Sequence, residues 1–220
     1  MMTSTPHKSE DIQASILGSA YRISTPRLCI RCWQPTDAHL LKAAVDANIE
    51  YLKPWTPWVK NEPEPLEDRI AWIRKFRAKF DLNENFVYGV FDRDETEVIG
   101  GTGLHTRQGP EAREIGYWIQ EKHAGKGLAT EVSAALTKVA FMIDKVKRVH
   151  IHCDVENRRS SRIPEKLGFV HEGNLRKRLP TTSDELKDMM VWTMLIDEYP
   201  NSIPSKAEIE AFDVIGRRIL

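Results

Sequence analysis

The sequence has no surplus of charge of either sign. Lys+Arg and Asp+Glu stand at 32 each over 220 residues, a formal net charge of zero. No global field draws such a chain to nucleic acid, and no nucleic-acid partner is expected. Long hydrophobic runs are also missing: nothing approaches the roughly 18 apolar residues of a membrane span. No apolar h-region follows Met1. The expectation is a cytoplasmic protein with neither leader nor membrane anchor. Cysteine is scarce, with three in all, which fits a reducing compartment. Cys29 and Cys32 spell CxxC inside a stretch, 28–33, that reads as a strand. Residues three apart on a strand point to opposite faces, and no second CxxC exists, so ordinary packing is the better reading. His150 and His152 share one strand face, but no third ligand lies near them in sequence, and no metal is expected.

Two nucleotide-binding signatures are absent too. A P-loop needs Gly-Lys followed by Ser or Thr, whereas Gly127 is followed by Leu128. The dinucleotide fingerprint needs three spaced glycines in a βαβ unit, which neither 125–127 nor the run Gly100-Gly101-Thr102-Gly103 supplies.

What is present suffices for one domain. The hydrophobic content is 41%, enough for a sizeable core over residues 20–200, with a loose polar arm at 1–19 and a tail at 201–220. The segment 114–130 organises the rest. Ile115, Tyr117 and Ile119 alternate with Glu114, Gly116 and Trp118, a period-2 strand. From Leu128 the apolar positions Val132, Leu136, Val139 and Ile143 follow helical spacing through 144. Between them stand Ala124-Gly125-Lys126-Gly127. Two glycines let the backbone turn tightly, and the spacing reads either as a turn that uses glycine only for sterics or as a helix N-terminus whose unpaired N–H groups, with Lys126, seat a phosphate.

Around this segment the spacing predicts further elements. Asp37 serves as N-cap of a first helix with Leu40, Leu41, Ala44, Val45 and Ala47 on its apolar side. Pro54 and Pro57 hold Trp55 and Trp58 on an irregular segment. Pro65 opens a second helix to about Lys79. Glu62, Glu64, Glu67 and Asp68 read either as its acidic start or as an attraction for a basic acceptor. Strands follow at 86–91, 98–105 and 114–119, then at 149–155, 169–175 and 187–196. Ser205 and Glu208 form a capping box for a C-terminal helix, packing on the domain or on a second subunit of a homodimer.

Strand, Gly-Lys-Gly-Leu-Ala and amphipathic helix together resemble the acyl-CoA loop of the GNAT acetyltransferases, Gln/Arg-x-x-Gly-x-Gly/Ala. Gly127 is the required glycine and Ala129 the last position, while Ala124 departs from the usual Gln or Arg. Asn157-x-x-Ser160 followed by Glu165-Lys166-Leu167-Gly168-Phe169 resembles the second GNAT signature. It places Pro164 in a helix, tolerable if that helix begins at Ser160 or Ser161. Thr25-Pro26-Arg27-Leu28 and the Leu52-to-Val59 tryptophan segment resemble the RimJ/RimL branch, which acetylates protein N-termini.

The resemblance implies an α/β fold: a mixed, largely antiparallel, twisted sheet of six to seven strands flanked by about four helices. It splays beside strand 114–119 to admit acetyl-CoA. The thioester would lie along Trp118 and Ile119, the pyrophosphate on Gly125, Lys126, Gly127, Leu128, Ala129 and Thr130. Acetyl passes directly to a primary amine, with the α-amine of a protein or peptide N-terminus as the expected acceptor. Glu114 is the candidate base, the alternative being a surface strand residue. Ser160 is the candidate donor to the leaving thiolate, or else a helix cap. Asn157 would hold the pantetheine arm or fix the turn. Trp55 and Trp58 wall the acceptor site or cover the core. In some relatives a glutamate follows the Gly-Phe strand as base; Leu179 stands there, so that role is not transferred. A small-molecule acetyltransferase would share every motif, and a non-catalytic acyl-CoA-binding module would keep the glycine loop.

Overall fold

A computed structural model describes residues 18–183 and 185–220. The expected arm falls mostly at 1–17, outside the described residues. Its last residue is not loose: Ser19 is buried, with its hydroxyl 3.1 Å from Tyr88 Oη.

Nine strands form one sheet: β1 (Arg22–Ser24), β2 (Leu28–Cys32), β3 (Phe86–Asp92), β4 (Val98–His105), β5 (Ala112–Ile119), β6 (Arg148–Asp154), β7 (Val170–Pro180), β8 (Leu186–Leu195) and β9 (Glu210–Phe212). Their order is β7-β8-β6-β5-β4-β3-β2-β1-β9. Five helices join them: α1 (Ala38–Asp46), α2 (Ile49–Leu52), α3 (Leu66–Asp81), α4 (Leu128–Met142) and α5 (Arg158–Leu167). The fold class is as expected, with two short strands more. β1 is only three residues long and sits behind the Thr25-Pro26 turn, so periodicity over so short a span gave no signal.

Alternation divides the sheet into two packed faces. On one side Ile30, Cys32, Tyr88, Ile115 and Ile151 meet Val132, Leu136 and Val139 of α4. On the other, Cys29, Trp33, Phe91 and Val98 meet Leu41 and Val45 of α1 and Ile73 of α3. The CxxC cysteines therefore lie on opposite faces, as strand geometry requires. All three cysteines are free and buried, and burial pushes their thiols up, Cys32 to about 12 and the other two to about 11.

Asp37 stands at the N-cap of α1 as expected, but its carboxylate makes no cap bond there and accepts from Gln34 N at 2.7 Å and from Arg31 at 2.7 and 2.9 Å. Two local expectations fail. The C-terminal helix does not form. Residues Pro204–Lys206 make a single 3-10 turn, Ser205 Oγ donating to Ser202 O at 2.7 Å, and the chain then runs as β9 against β1. The period-2 run Ala207, Ile209, Ala211 was the overlooked signal, and edge pairing overrode a capping box with no apolar helical stripe behind it. Finally, α5 starts at Arg158, leaving Pro164 in its interior.

All strand pairs are antiparallel except β5 with β6, joined by the α4 crossover. Their parallel register runs from Ala112↔Arg148 to Ile115↔Ile151 and stops there. β5 continues four residues further, paired only with β4, and β6 continues to Asp154, paired only with β8. The sheet is open between these ends.

Candidate active site

Each side of this opening carries different groups, because residues two apart on a strand share a face. Ile115, Tyr117 and Ile119 face α4 and α5. Glu114, Trp118, His152 and Asp154 face the opposite way.

On the helix side lies the glycine loop. Gly127 caps α4 at φ 77°, in the left-handed region that glycine enters without strain. Among the described residues, the amides of Gly125, Lys126, Gly127, Leu128, Ala129 and Thr130 find no protein acceptor; the last four are those that the start of a 15-residue helix leaves unpaired, and the first two belong to the turn before it. The Thr25–Leu28 turn supports this loop from behind. Arg27 donates to Lys126 O at 2.9 Å and to Glu131 Oε2 at 2.6 Å, and Thr25 Oγ1 donates to Glu131 Oε1 at 2.6 Å. Glu131, the one acid in the first turn of α4, is thereby occupied by Arg27 and Thr25. The amides and the nearby cations fit a pyrophosphate. A cavity of about 530 Å³ adjoins the loop, lined by Gly127, Thr130, Lys166 and the segment Ile203 to Ile209.

α5 presents Ser160 to the opening. Asn157 is the N-cap, its Oδ1 accepting from Ser160 N at 3.1 Å, so Asn157 fixes the turn and Ser160 is not the cap. Pro164 has no N–H for Ser160 O four residues back. Tyr117 supplies the missing donor: its Oη lies 3.2 Å from Ser160 O and 3.0 Å from Ser160 Oγ. This explains how a proline is tolerated inside α5, and it ties the serine to β5. Burial raises the Tyr117 phenol well above its ordinary pKa. Sequence reasoning missed Tyr117 as a site residue; the Ser160–Pro164 spacing, which orphans one carbonyl, was the available clue.

On the opposite face Glu114 is buried rather than a surface residue. Its carboxylate meets Arg107 Nη2 and Nε, Gln108 Nε2 at 2.8 Å and His152 Nδ1 at 3.3 Å. Burial alone would raise its pKa, but Arg107 and His152 hold the carboxyl well below the usual carboxylate range. His105, half-buried nearby, is pushed down to about 4 by desolvation and by the Arg107 charge.

Trp55 and Trp58 lie along this face, 38% and 45% exposed. Trp58 packs edge-on against Trp118 at 6.1 Å between centroids, and Trp55 faces Lys187 Nζ at 5.6 Å. A buried amide network anchors their segment to the end of β5: Asn48 accepts from Glu121 N at 2.8 Å and donates to Gln120 Oε1 at 3.1 Å. The glycine run of β4 has a packing role, since a Cβ on Gly101 would fall 2.5 Å from Trp118 Nε1.

Residues 27–170, well over half the chain, match the family described as the acetyltransferase (GNAT) domain. The chain belongs to the GNAT family. This GNAT enzyme takes its acetyl group from acetyl-CoA as substrate and transfers it as an N-acetyltransferase. It is 32% identical over 158 residues to the [ribosomal protein uS5]-alanine N-acetyltransferase of Escherichia coli, covering 69% of this chain and 79% of that one. Solved structures share the fold. The microcin C7 self-immunity acetyltransferase MccE, in complex with acetyl-CoA and AMP, superposes with a TM-score of 0.71 at 18% identity, over 78% of this chain and 93% of that one. RimL, the ribosomal L7/L12 alpha-N-protein acetyltransferase in complex with coenzyme A, gives 0.70 at 20% identity, over 79% and 97%. Among the described residues no helix is long and apolar enough to cross a membrane, and no group of three or more His, Cys, Asp and Glu could hold a metal.

Proposed function

We propose that this GNAT enzyme acetylates the α-amine of a protein N-terminus in the cytoplasm, a ribosomal protein being the acceptor class. The observation that carries the reading is the two-sided opening between β5 and β6. The phosphate seat and Ser160 lie towards one face, the Glu114–His152 pair and the exposed tryptophans towards the other. Acetyl-CoA enters with its pyrophosphate on residues 125–130 and its thioester beside Trp118 and Ile119. The acceptor enters from the tryptophan side, and the amine attacks the thioester carbonyl directly.

The amine must be unprotonated. An α-amine, with a pKa near 8, is about one pK unit short at pH 7, roughly 1.4 kcal/mol; a lysine amine near 10.4 costs roughly 4.6 kcal/mol. The modest demand suits this site. Glu114, with its proton affinity lowered by Arg107, acts in our reading through His152, orienting the imidazole that receives the amine proton. Ser160 Oγ–H donates to the departing CoA thiolate, with Tyr117 holding the hydroxyl in place. The similarity to the uS5-alanine enzyme supports the acceptor class, because alanine acetylation at a ribosomal protein is the same type of reaction.

The test is a turnover panel with acetyl-CoA and N-terminal peptides, polyamines and aminoacyl compounds. Peptides with small first residues should have the highest kcat/KM. Acetylation of an aminoacyl compound or polyamine, with no peptide acetylated, would replace the protein acceptor by a small molecule.

A further inference from the structure

Lys187, near the start of β8, has an unusual set of neighbours for a cation a third exposed. Its Nζ lies 3.0 Å from Asp154 Oδ2, 2.9 Å from Glu156 Oε2 and 5.6 Å from the centroid of the Trp55 ring. The parts come from both walls of the acceptor side. Asp154, with a side chain 3% exposed, ends β6 beyond its last pair with β5. Trp55 belongs to the segment anchored on β5 through Asn48. Lys187 thus bridges the mouth through which an acceptor would pass.

We propose that Asp154, Glu156 and the face of Trp55 form the seat that captures the acceptor's primary ammonium group, and that Lys187 is an internal occupant which the acceptor displaces. This rests on the acceptor side assigned above. Two carboxylates and an aromatic face within 6 Å are the chemistry that recognises a primary ammonium. The lysine head and a peptide α-ammonium are the same functional group, so a seat filled by one accepts the other. Asp154 and His152 share a face of β6, and His152 adjoins Glu114. An amine captured at Asp154 therefore lies along the strand from the groups that take its proton. A tethered competitor lowers the acceptor's apparent affinity by the fraction of time the seat is filled. It also keeps the buried Asp154 paired while no acceptor is present. Glu156 and Asp154 both raise the Lys187 pKa, so the occupant stays charged.

The experiment compares acceptor KM and acetyl-CoA KM in wild type, Lys187→Met, Lys187→Gln and Lys187→Arg. Removing the charge should lower acceptor KM about three- to tenfold, leave acetyl-CoA KM within twofold, and leave the arginine variant near wild type. Lys187→Gln keeps a donor to Asp154, so the comparison survives if the methionine variant folds poorly. Adding Glu156→Gln to either neutral variant should raise acceptor KM again. An unchanged or increased acceptor KM in both neutral variants makes Lys187 a structural bridge and ends the proposal. If wild type acetylates only a polyamine or aminoacyl compound, the N-terminal reading fails. The same comparison then runs with that amine, because the seat reads the ammonium and not the peptide.

Discussion

A carboxylate gripped by Arg107 and Gln108 accepts a proton poorly, so the role proposed for Glu114 is testable through the pH at which its loss matters. Glu114→Gln should lower kcat/KM with a peptide acceptor about ten- to hundredfold at pH 7. The deficit should shrink towards pH 9, as more acceptor amine is already free. A loss independent of pH would show that Glu114 does not act through the proton-accepting imidazole. Arg107 is 60% exposed at its side chain, so the substitution strands no buried cation, and a thermal melt of the variant separates the stability it loses from the kinetic effect. Ser160 calls for a different signature: Ser160→Ala should reduce kcat while acetyl-CoA affinity, by calorimetric titration, stays near wild type. Equal falls in both would make the hydroxyl a cofactor contact.

At the scale of elements, the glycine loop leaves the amides of a helix start without protein acceptors, which is what the proposed anion seat needs. Gly127→Glu introduces bulk and negative charge among the unpaired amides and should reduce acetyl-CoA affinity by about two orders of magnitude or more. Gly127→Ala adds only the strain of positive φ, about 1 kcal/mol, and should lose far less. Tight binding by a folded Gly127→Glu protein would move the pyrophosphate elsewhere. The supporting turn also matters. Arg27→Ala releases Glu131 beside the anion seat and should weaken acetyl-CoA about three- to tenfold, with acceptor KM unchanged in calorimetry and steady-state kinetics.

The whole molecule should be acid-sensitive in a defined window. His105, with its pKa depressed to about 4 from an ordinary 6.5, stays neutral in the fold while the unfolded chain takes up a proton. Stability is therefore full above about pH 6.5 and falls as pH drops towards 4. His150, also depressed by burial, adds to this loss. Glu114 acts lower: its depressed pKa gives stability that is present above the ordinary carboxylate range and lost as pH falls below about 4.5. Urea midpoints should decline from pH 7 to pH 5, and His105→Gln should flatten part of that decline. A profile unaltered by His105→Gln would assign the acid sensitivity to other groups.

Most of the architecture was readable from local pattern. β4 (Val98–His105) appears where periodicity put it, and α4 begins at Leu128 as the glycine turn and apolar spacing required. The glycine loop and the Asn157–Ser160 motif were legible because their chemistry is carried by adjacent residues. Pairings over long separations were not. Nothing near Arg27 announces Glu131, 104 residues away, and nothing near Tyr117 announces the carbonyl of Ser160. The tail was read as a helix because a capping box is a local signal, whereas the free edge of β1 that recruits β9 exists only once the sheet has formed. Sequence by itself determined most of the elements and the family, since dihedral preference, periodicity and short motifs act within a few residues. Tertiary structure decided that Glu114 is buried and ion-paired, that Asn157 and not Ser160 caps α5, and that Lys187 fills a cage of Asp154, Glu156 and Trp55. Charge and hydrogen bonding act through space, and folding alone sets which groups come within reach.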